Sequence, residues 1–435
     1  MIPAMILFVI TYALMLIFSK YRPYIALASG LIFILSGMLP FGDVLGVLDF
    51  NVLLMIAGTM GLVSLFIESK MPSLLADLIM EKVPNIQAAA VALALFAGII
   101  SAFVDNVATV LMIAPVAMAI CQKLKINPIP LIIGIAVSSN LQGAATLVGD
   151  TTAIMLGSAL DMSFMDFFWY QGKPSIFFAV ELGAVLSALI LAFLFRKEKA
   201  PISRLGDRTV VTDYVPSILL VGTIVLLICV SFAPDSWNLP AEINGLICCG
   251  ILIIGLLYNL AKKKNVSALI TPLKEIDFET LGLLVGLFLM IGGIEHEGVI
   301  SALAGLLAHL GGDNIFLLYT VIVWASVLIS AFIDNIPYVA TMIPVIGSLA
   351  AQLSGQMGLD PTLVATPLYF GLLSGATLGG NCTPIGASAN IAGIGILRKA
   401  GFTVKNKDFF RIGIPFTLAA IIPAYLYIWL LYGVA

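Results

Sequence analysis

Two segments of this chain each set an Asp-Asn pair inside an otherwise apolar run. The first reads SAFVDNVATV from Ser101 and the second reads SAFIDNIPYV from Ser330, so that Asp105 and Asp334 lie 229 residues apart. Polar and ionisable groups are unfavourable at membrane depth, and where they occur there they are mostly functional. Such aspartates can bind a cation, carry a proton or cap a helix through backbone N–H groups. The duplication favours a transporter with two repeats around a central site.

Two further segments are rich in glycine and small polar residues. One reads NLQGAATLVGDTTA from Asn140, and the other reads TLGGNCTPIGASAN from Thr377. The glycines, together with Pro384, predict that the helix breaks in each segment. A broken membrane helix exposes carbonyl oxygens, which suit Na⁺, and half-helix N-termini, which suit anions. Asp150 aligns with Ala387, so one carboxylate has no counterpart and is a candidate for H⁺ or Na⁺ coupling.

The residues expected to bind a substrate or coupling ion come from all four segments. They are Asp105, Asn106, Thr109, Asn140, Thr146, Gly149, Asp150, Asp334, Asn335, Thr377, Asn381, Thr383, Gly386, Ser388 and Asn390. Bound Na⁺ is expected near Asp105, Asn106, Asp334 and Asn335. No Lys or Arg is expected in this site. No catalytic residue is predicted, and no cofactor is expected beyond the coupling ion, Na⁺ or H⁺.

The elements that position these residues must be membrane helices. The chain is 61% hydrophobic and 10% charged, with a mean hydropathy of +1.11, whereas about a quarter of a soluble domain is charged. Its apolar runs are long enough to span hydrocarbon. They predict helices near 2–19, 24–42, 51–67, 129–158, 175–195, 214–233, 241–261, 279–294, 363–396 and 412–433. The runs 89–120 and 314–350 carry the Asp-Asn pairs midway and are interpreted as re-entrant hairpins.

The positive charges support this topology. With the N-terminus outside and both hairpins re-entrant, all of the 21 Lys and Arg residues except Lys173 lie in cytoplasmic loops. Asp49-Phe50 and Asp277-Phe278, which open equivalent helices, then lie on opposite sides. The fold class predicted is therefore an all-α polytopic membrane protein, with about 10 transmembrane helices and two hairpins in an inverted-topology repeat.

This organisation divides the chain into five parts. They are N-terminal helices (1–48), a first repeat (49–195), a cytoplasmic linker that includes Arg204 and Asp207 (196–213), connecting helices (214–276) and a second repeat (277–435). We expect an integral protein of the cytoplasmic membrane, whose partners are the lipid bilayer and a small anion or cation. The basic residues are explained by topology, which leaves no case for nucleic-acid binding. No enzymatic function is expected, because a phosphate-binding loop is absent and no nucleophile has a histidine partner.

The motifs resemble the ion transporter superfamily of arsenite permeases, Na⁺/H⁺ antiporters, the P protein and dicarboxylate carriers. SAFIDNIPYVATMIP from Ser330 and LGGNCTPIGASAN from Leu378 resemble the second hairpin and second broken helix of the P-protein and arsenite-permease-like branch. GAATLVGD from Gly143 resembles the first broken helix. The resemblance covers roughly residues 45 to 433. It implies a scaffold domain, a transport domain that moves like an elevator, a homodimer, and coupling to Na⁺ or H⁺.

Two departures from relatives bear on the substrate. Dicarboxylate carriers have Ser-Asn-Thr at each hairpin tip, where this chain has Asp105-Asn106-Val107 and Asp334-Asn335-Ile336. The added charge repels a dicarboxylate unless it is neutralised by a proton or a cation. Relatives often continue the first broken helix as Gly-Asp-Pro-Pro-Asn, whereas this chain has Thr151-Thr152-Ala153 after Asp150.

The leading hypothesis is a secondary active transporter that moves a small anion with Na⁺ or H⁺ by an elevator-type alternating-access mechanism. The alternatives are a Na⁺/H⁺ antiporter, an arsenite or antimonite efflux permease, and a passive channel. The expected absence of Lys and Arg from the site favours the antiporter over an anion carrier.

Overall fold

The computed structural model describes residues 1–201, 208–312 and 314–434, and these contain nineteen α-helices. The helices before the linker are α1 (Ile2–Ile17), α2 (Arg22–Leu35), α3 (Phe50–Glu68), α4 (Met71–Met80), α5 (Ile86–Ser101), α6 (Asn106–Leu124), α7 (Ile129–Gln142), α8 (Thr151–Ala159) and α9 (Ile176–Leu194). The helices after it are α10 (Val215–Ser231), α11 (Ile243–Lys263), α12 (Ser267–Lys274), α13 (Phe278–His296), α14 (Val299–Gly311), α15 (Ile315–Ser330), α16 (Asn335–Met357), α17 (Pro361–Gly379), α18 (Ser388–Lys399) and α19 (Asn406–Tyr432). The strands described are β1 (Trp169–Tyr170) and β2 (Lys173–Pro174), an antiparallel pair before α9.

The prediction of an all-α polytopic membrane protein is confirmed. Among the described residues, eight helices are long and apolar enough to cross a membrane, or up to ten if two bent pairs are each one span. One bent pair consists of α1 and α2, which meet at 115°. The eight include α6 and α16, the second arms of the predicted hairpins, with 19 and 23 residues. Helix length alone therefore permits these arms to cross a bilayer.

Several elements differ from the predicted spans. The helices α4, α12 and α14 lie outside them, because helices of 10, 8 and 13 residues are too short to give a span-length apolar window. Helix α2 ends at Leu35 rather than near residue 42, because Gly37 adopts a φ of +75°, the left-handed conformation typical of helix ends. The run predicted as 129–158 divides into α7 and α8, and the run 363–396 divides into α17 and α18.

Close packing at glycines joins the two halves reciprocally. A Cβ atom added to Gly286 of α13 would lie 2.4 Å from the carbonyl carbon of Ala26 in α2. In the same way, a Cβ atom on Gly58 of α3 would lie 2.5 Å from the carbonyl carbon of Cys248 in α11. Such small-residue contacts let membrane helices approach closely. Each half thus contributes one helix that packs on the other half.

The central helices are α7 and α17, which are buried along almost their whole length. Helices α5 and α6 pack against α7, and α15 and α16 pack against α17. The long helices α9 and α19 pack against each other. The polar breaks that follow α7 and α17 therefore lie beside the turns of the two predicted hairpins.

The described ends of the linker contact the loops near α4. The Arg208 guanidinium donates to both carboxylate oxygens of Glu81, at 2.5 and 2.6 Å, and the Gln87 N–H donates to the Glu198 carbonyl at 2.9 Å. Lys262 pairs with Asp213 at 2.8 Å. The predicted linker residues Arg204 and Asp207 lie outside the described residues. Segments assigned to cytoplasmic loops thus meet at one end of the molecule.

Candidate functional site

The two Asp-Asn pairs occupy equivalent local structures. Asp105 and Asp334 are the N-caps of α6 and α16, since each accepts hydrogen bonds from backbone N–H groups in the first turn. The Asp105 carboxylate accepts from Val107 and Ala108 at 3.0 Å, and Asp334 accepts from Ile336 at 3.1 Å. An N-cap aspartate satisfies N–H groups that have no partner within the helix. The following asparagines, Asn106 and Asn335, are thereby fixed at the helix starts.

The breaks after α7 and α17 bring carbonyl oxygens together around a glycine. A Cβ atom on Gly149 would lie 2.7 Å from the Gly143 oxygen and 3.0 Å from the Ala102 oxygen. A Cβ atom on Gly386 would lie 2.6 Å from the Gly380 oxygen and 2.8 Å from the Ser330 oxygen. Only a residue without a side chain fits these positions. Each glycine therefore permits the break and the hairpin turn to touch.

Threonine hydroxyls tie each break to the neighbouring turn. Thr146 donates to the Ala102 carbonyl, and Thr383 donates to the Ala331 carbonyl. Asn390 donates to the carbonyls of Gly380 and Thr383, at 3.0 Å each. These side chains satisfy carbonyls that lost their helical partners, which explains part of the duplicated polar pattern. Their hydrogen bonds within the protein give Thr146, Thr383 and Asn390 a positioning role.

Buried amides link the halves at the centre. Asn106 donates to the Asn140 side-chain oxygen at 3.1 Å, and Asn140 donates to the Thr377 carbonyl at 2.7 Å. Asn140 also donates to the side-chain oxygen of Asn381 at 3.1 Å, and Asn381 donates to the Val137 carbonyl at 2.9 Å. Asn140, Thr377 and Asn381 are fully buried. This network fixes the two breaks relative to each other.

Asp150 receives hydrogen bonds from both halves. Its carboxylate accepts from the Thr151 N–H at 2.8 Å and from the Thr152 hydroxyl at 3.1 Å. The Asn335 amide of the second half donates to the same carboxylate at 3.3 Å. Thr152 contacts the Thr377 hydroxyl at 3.2 Å. The carboxylate without a counterpart in the repeat therefore lies where the halves meet.

A cavity of about 470 Å³ opens beside these groups. Five carboxylates line it, and no Lys or Arg is among its lining residues. The carboxylates are Glu68, Asp105, Asp150, Glu275 and Asp277. Amides and a hydroxyl from Asn106, Asn335 and Ser388 also line it. Glu68 pairs with Lys263, and Glu68, Glu275 and Asp277 are exposed. An open cavity with this charge attracts cations and protons and repels a free anion.

The predicted site residues therefore separate into groups. Those that line the cavity are Asp105, Asn106, Asp150, Asn335 and Ser388. Thr109 is buried and lies 3.5 Å from the Val104 carbonyl. Glu68, Glu275 and Asp277 were not predicted, because they lie at helix ends assigned to solvated loops. Their place in the cavity depends on how α3, α12 and α13 pack together, and no local pattern signals it.

One predicted site residue has a basic partner that was not expected, although no Lys or Arg lines the cavity. The Arg22 guanidinium pairs with the Asp334 carboxylate, with Nη1 and Oδ2 3.3 Å apart. Arg22 Nε also donates to the Met15 carbonyl at 3.2 Å. Arg22 was assigned to a cytoplasmic loop because it follows Lys20 directly after an apolar run. The 115° bend between α1 and α2 instead brings it to the second Asp-Asn pair.

A polytopic helical protein with a buried polar break in each half and an acidic cavity is built as a membrane transporter. The chain belongs to the citrate transporter family (CitMHS), which matches residues 6–369. It is 36% identical over 334 residues to a 46 kDa membrane protein of Mycobacterium leprae, covering 76% of this chain and 74% of that protein. It is 34% identical over 343 residues to the uncharacterized transporter Rv2684 of Mycobacterium tuberculosis, covering 79% and 76%. The P protein of Sus scrofa is 26% identical over 452 residues, covering 85% of this chain and 51% of the P protein.

Two solved transporters share the fold. The YdaH transporter of Alcanivorax borkumensis superposes with a TM-score of 0.59, covering 90% of this chain and 88% of that one. MtrF of Neisseria gonorrhoeae superposes with a TM-score of 0.52, covering 92% and 83%. Both are 16% identical to this chain, so the likeness concerns the fold alone. The predicted superfamily, an integral plasma-membrane location and transport in place of catalysis are confirmed.

Proposed function

We propose that this protein is a secondary active transporter in which Na⁺ or H⁺ neutralises the acidic cavity and a small anion crosses the cytoplasmic membrane with it. The observation that carries the proposal is that Asp105 and Asp150 share one cavity with three exposed carboxylates, one of which, Glu68, pairs with Lys263, while no Lys or Arg lines the cavity itself. Carboxylates that share one cavity repel an anion, so an anion enters only after cations or protons have bound to Asp105 or Asp150. The family description, citrate transporter, supports an organic anion as the solute.

The coupling ion is assigned to the region between Asp105 and Asp150. Both carboxylates line the cavity, and the neighbouring breaks supply carbonyl and amide oxygens, the ligands that hard cations prefer. Protonation of either carboxylate would neutralise the same charge. Na⁺ and H⁺ are therefore both retained as coupling ions.

We further propose an inverted-topology repeat and elevator-type movement in a homodimer, with the N-terminus outside. Three features that occur in both halves support the repeat. They are the N-cap aspartates of α6 and α16, the glycines packed against carbonyl oxygens in each break, and the threonines that donate to the neighbouring turns. The parallel packing of α2 on α13 and of α11 on α3 fits the helix directions expected from the positive charges. The hairpins and broken helices would carry the solute past the remaining helices.

Na⁺/H⁺ antiport is the second candidate. No Lys or Arg lines the cavity, and this favours antiport. An anion carrier would gain from a positive side chain in its site, whereas a protein that exchanges only cations needs none. The two candidates differ in one respect, namely whether flux requires an anion.

The test uses purified protein in liposomes that contain a pH-sensitive dye. Na⁺, Li⁺, citrate, succinate, phosphate or arsenite is added outside to the wild type and to Asp105→Asn. Asp161→Asn is the matched control, because Asp161 is exposed and adopts a φ of +51°, which asparagine tolerates equally well. Cation-dependent flux that needs one anion and is lost only in Asp105→Asn supports the proposal. Proton flux with Na⁺ or Li⁺ alone identifies antiport and excludes the anion carrier.

A further inference from the structure

The two equivalent aspartates have different partners. Asp334 pairs with Arg22, and the two side chains are only 15% and 20% exposed. Asp105 accepts backbone N–H groups, and no Lys, Arg or His of the described residues lies within 4.0 Å of its carboxylate. Asp105 lines the cavity, whereas Asp334 does not. We call the surroundings of Asp105 the first half-site and those of Asp334 the second half-site. The second half-site thus has a positive charge supplied by the chain, and the first has a carboxylate without a basic partner.

The packing of the halves explains why only one aspartate is paired. Ala26 of α2 contacts Gly286 in the way that Cys248 of α11 contacts Gly58. Arg22 lies four residues before Ala26, and the position four residues before Cys248 is Asn244. By this alignment a basic residue of α2 pairs with Asp334, whereas the matching residue of α11 is neutral. The difference is fixed by sequence.

We infer that Arg22 takes the place of a coupling cation at the second half-site, so that exchangeable cation binds at the Asp105 side alone. This inference rests on the proposed function, because it assigns the coupling ion within the same site. A carboxylate in a low-dielectric environment needs a positive partner or a proton. A guanidinium supplied by the chain meets that need at Asp334 in the described conformation. Asp105 has no such group, and its charge is neutralised by an ion from solution.

Removal of Arg22 should therefore create a second cation site. Arg22→Ala leaves Asp334 unpaired, while Tyr12 still holds α1 to α16 through the Pro337 carbonyl, at 2.7 Å, and through Thr341. The double variant Arg22→Ala/Asp334→Asn removes both charges and should behave as the wild type. Arg22→Lys keeps the positive charge and should do the same, which tests the inference even if Arg22→Ala does not fold.

The experiment is a melting-temperature titration of purified protein with NaCl or LiCl, in which choline chloride keeps ionic strength constant. A parallel titration against pH at constant salt covers H⁺. A ligand that binds only the folded state raises stability with the logarithm of its concentration, in proportion to the number bound. If the wild type binds one cation, Arg22→Ala should show about twice the wild-type slope. Arg208→Ala, which breaks an exposed ion pair away from the cavity, is the control and should keep the wild-type slope.

The outcomes separate this inference from the proposed function. A folded Arg22→Ala with the wild-type slope, or an Arg22→Lys with an increased slope, overturns the inference and leaves cation coupling intact. A wild-type slope that disappears in Asp105→Asn supports the assignment to the first half-site. A wild type that responds to none of Na⁺, Li⁺ and H⁺ overturns the coupling proposal and this inference together.

Discussion

Asp150 shows at the scale of one residue how the repeat becomes asymmetric. Ala387 occupies the equivalent position in the second half and likewise precedes a helix start, but it offers no side-chain acceptor. Asp150 therefore binds Thr151, Thr152 and Asn335 in an arrangement without a counterpart. The hydrogen bond from Asn335 connects the charge of Asp150 directly to the start of α16 in the second half. In the proposed mechanism, that contact would couple ion binding at Asp150 to movement of the second hairpin.

Asp150→Asn should reduce coupled transport while leaving the fold intact. The amide has one oxygen, which can accept from Asn335 and Thr152 but then not from the Thr151 N–H, and the variant loses the charge that attracts a cation. Hydrogen bonds to charged groups contribute about 1.5–3 kcal/mol, so we expect flux to fall by roughly ten- to a hundredfold. Initial rates in proteoliposomes measure the effect, and Asp161→Asn serves as the control. Unchanged rates with unchanged cation dependence would remove Asp150 from the coupling site.

Asn140→Ala should affect stability more than a comparable change elsewhere. The side chain is fully buried and bonds to Asn106, Thr377 and Asn381, so truncation leaves several polar groups without partners. Each such group costs about 1–3 kcal/mol. The control is Asn51→Ala, which removes one half-buried acceptor of the Gly245 N–H. Equal losses of melting temperature in both variants would contradict a central role for the amide network.

At the scale of elements, the breaks in the helices depend on two glycines. Gly149 and Gly386 lie where carbonyls of a break and of a hairpin turn converge, so a methyl group has no room. Thr146 and Thr383 complete each contact by donating to the neighbouring turn. The hairpin turn and the break thus form one unit in each half.

Gly149→Ala and Gly386→Ala should each destabilise the protein by about 1–3 kcal/mol, because the added methyl overpacks against backbone oxygens that cannot move independently. Gly395→Ala in α18 is the matched control, since a Cβ atom there meets nothing within 4 Å. In a helix interior that change should stabilise by up to about 1 kcal/mol. Thermal unfolding of the three variants measures the difference. A normal melting temperature for Gly149→Ala would show that the break relaxes freely.

The sequence predicts elements of this protein better than it predicts contacts. Long spans such as α9 and α19 follow from apolar runs, since their length is a direct requirement of the bilayer. The clustering of Asp105, Asp150 and Asn335 follows from the duplicated motifs, while ion binding by these residues stays a prediction. Arg22 is different, because its contact with Asp334 depends on the bend between α1 and α2. The sequence predicts the turn between these two helices, but hydropathy does not give the angle at which they meet.

At the scale of the molecule, the helices form two groups. The first group is α1–α3 with α10–α13, and the second group contains the predicted hairpins and broken helices. Contacts within the first group differ from the contacts between the two groups. Within the group α1–α3 and α10–α13, helices meet at glycines such as Gly58 and Gly286, with backbones in close approach. Among the polar contacts from this group to the hairpins and broken helices are those of Arg22 and Tyr12, and a hydrogen bond from Ser158 to Asp49. Neutral hydrogen bonds such as those of Tyr12 can be exchanged at little net cost, and the Arg22–Asp334 pair can separate only if each charge finds a new partner, whereas interdigitated backbones cannot slide. This difference places the sliding surface of the proposed elevator between the two groups.

A covalent bridge across that surface should therefore stop transport. The pair Asp49→Cys/Ser158→Cys joins α3 to α8, in a background where the partly exposed Cys229, Cys249 and Cys382 are replaced. Hg²⁺ bridges the two thiolates, and flux should fall to background and return after an excess of a small thiol is added. The control pair Thr11→Cys/Ser29→Cys replaces hydroxyls that are 2.8 Å apart within the first group, and its bridge should leave flux unchanged. Full activity of a bridged Asp49→Cys/Ser158→Cys protein would mean that α3 and α8 move together, and would exclude an elevator that slides along this surface.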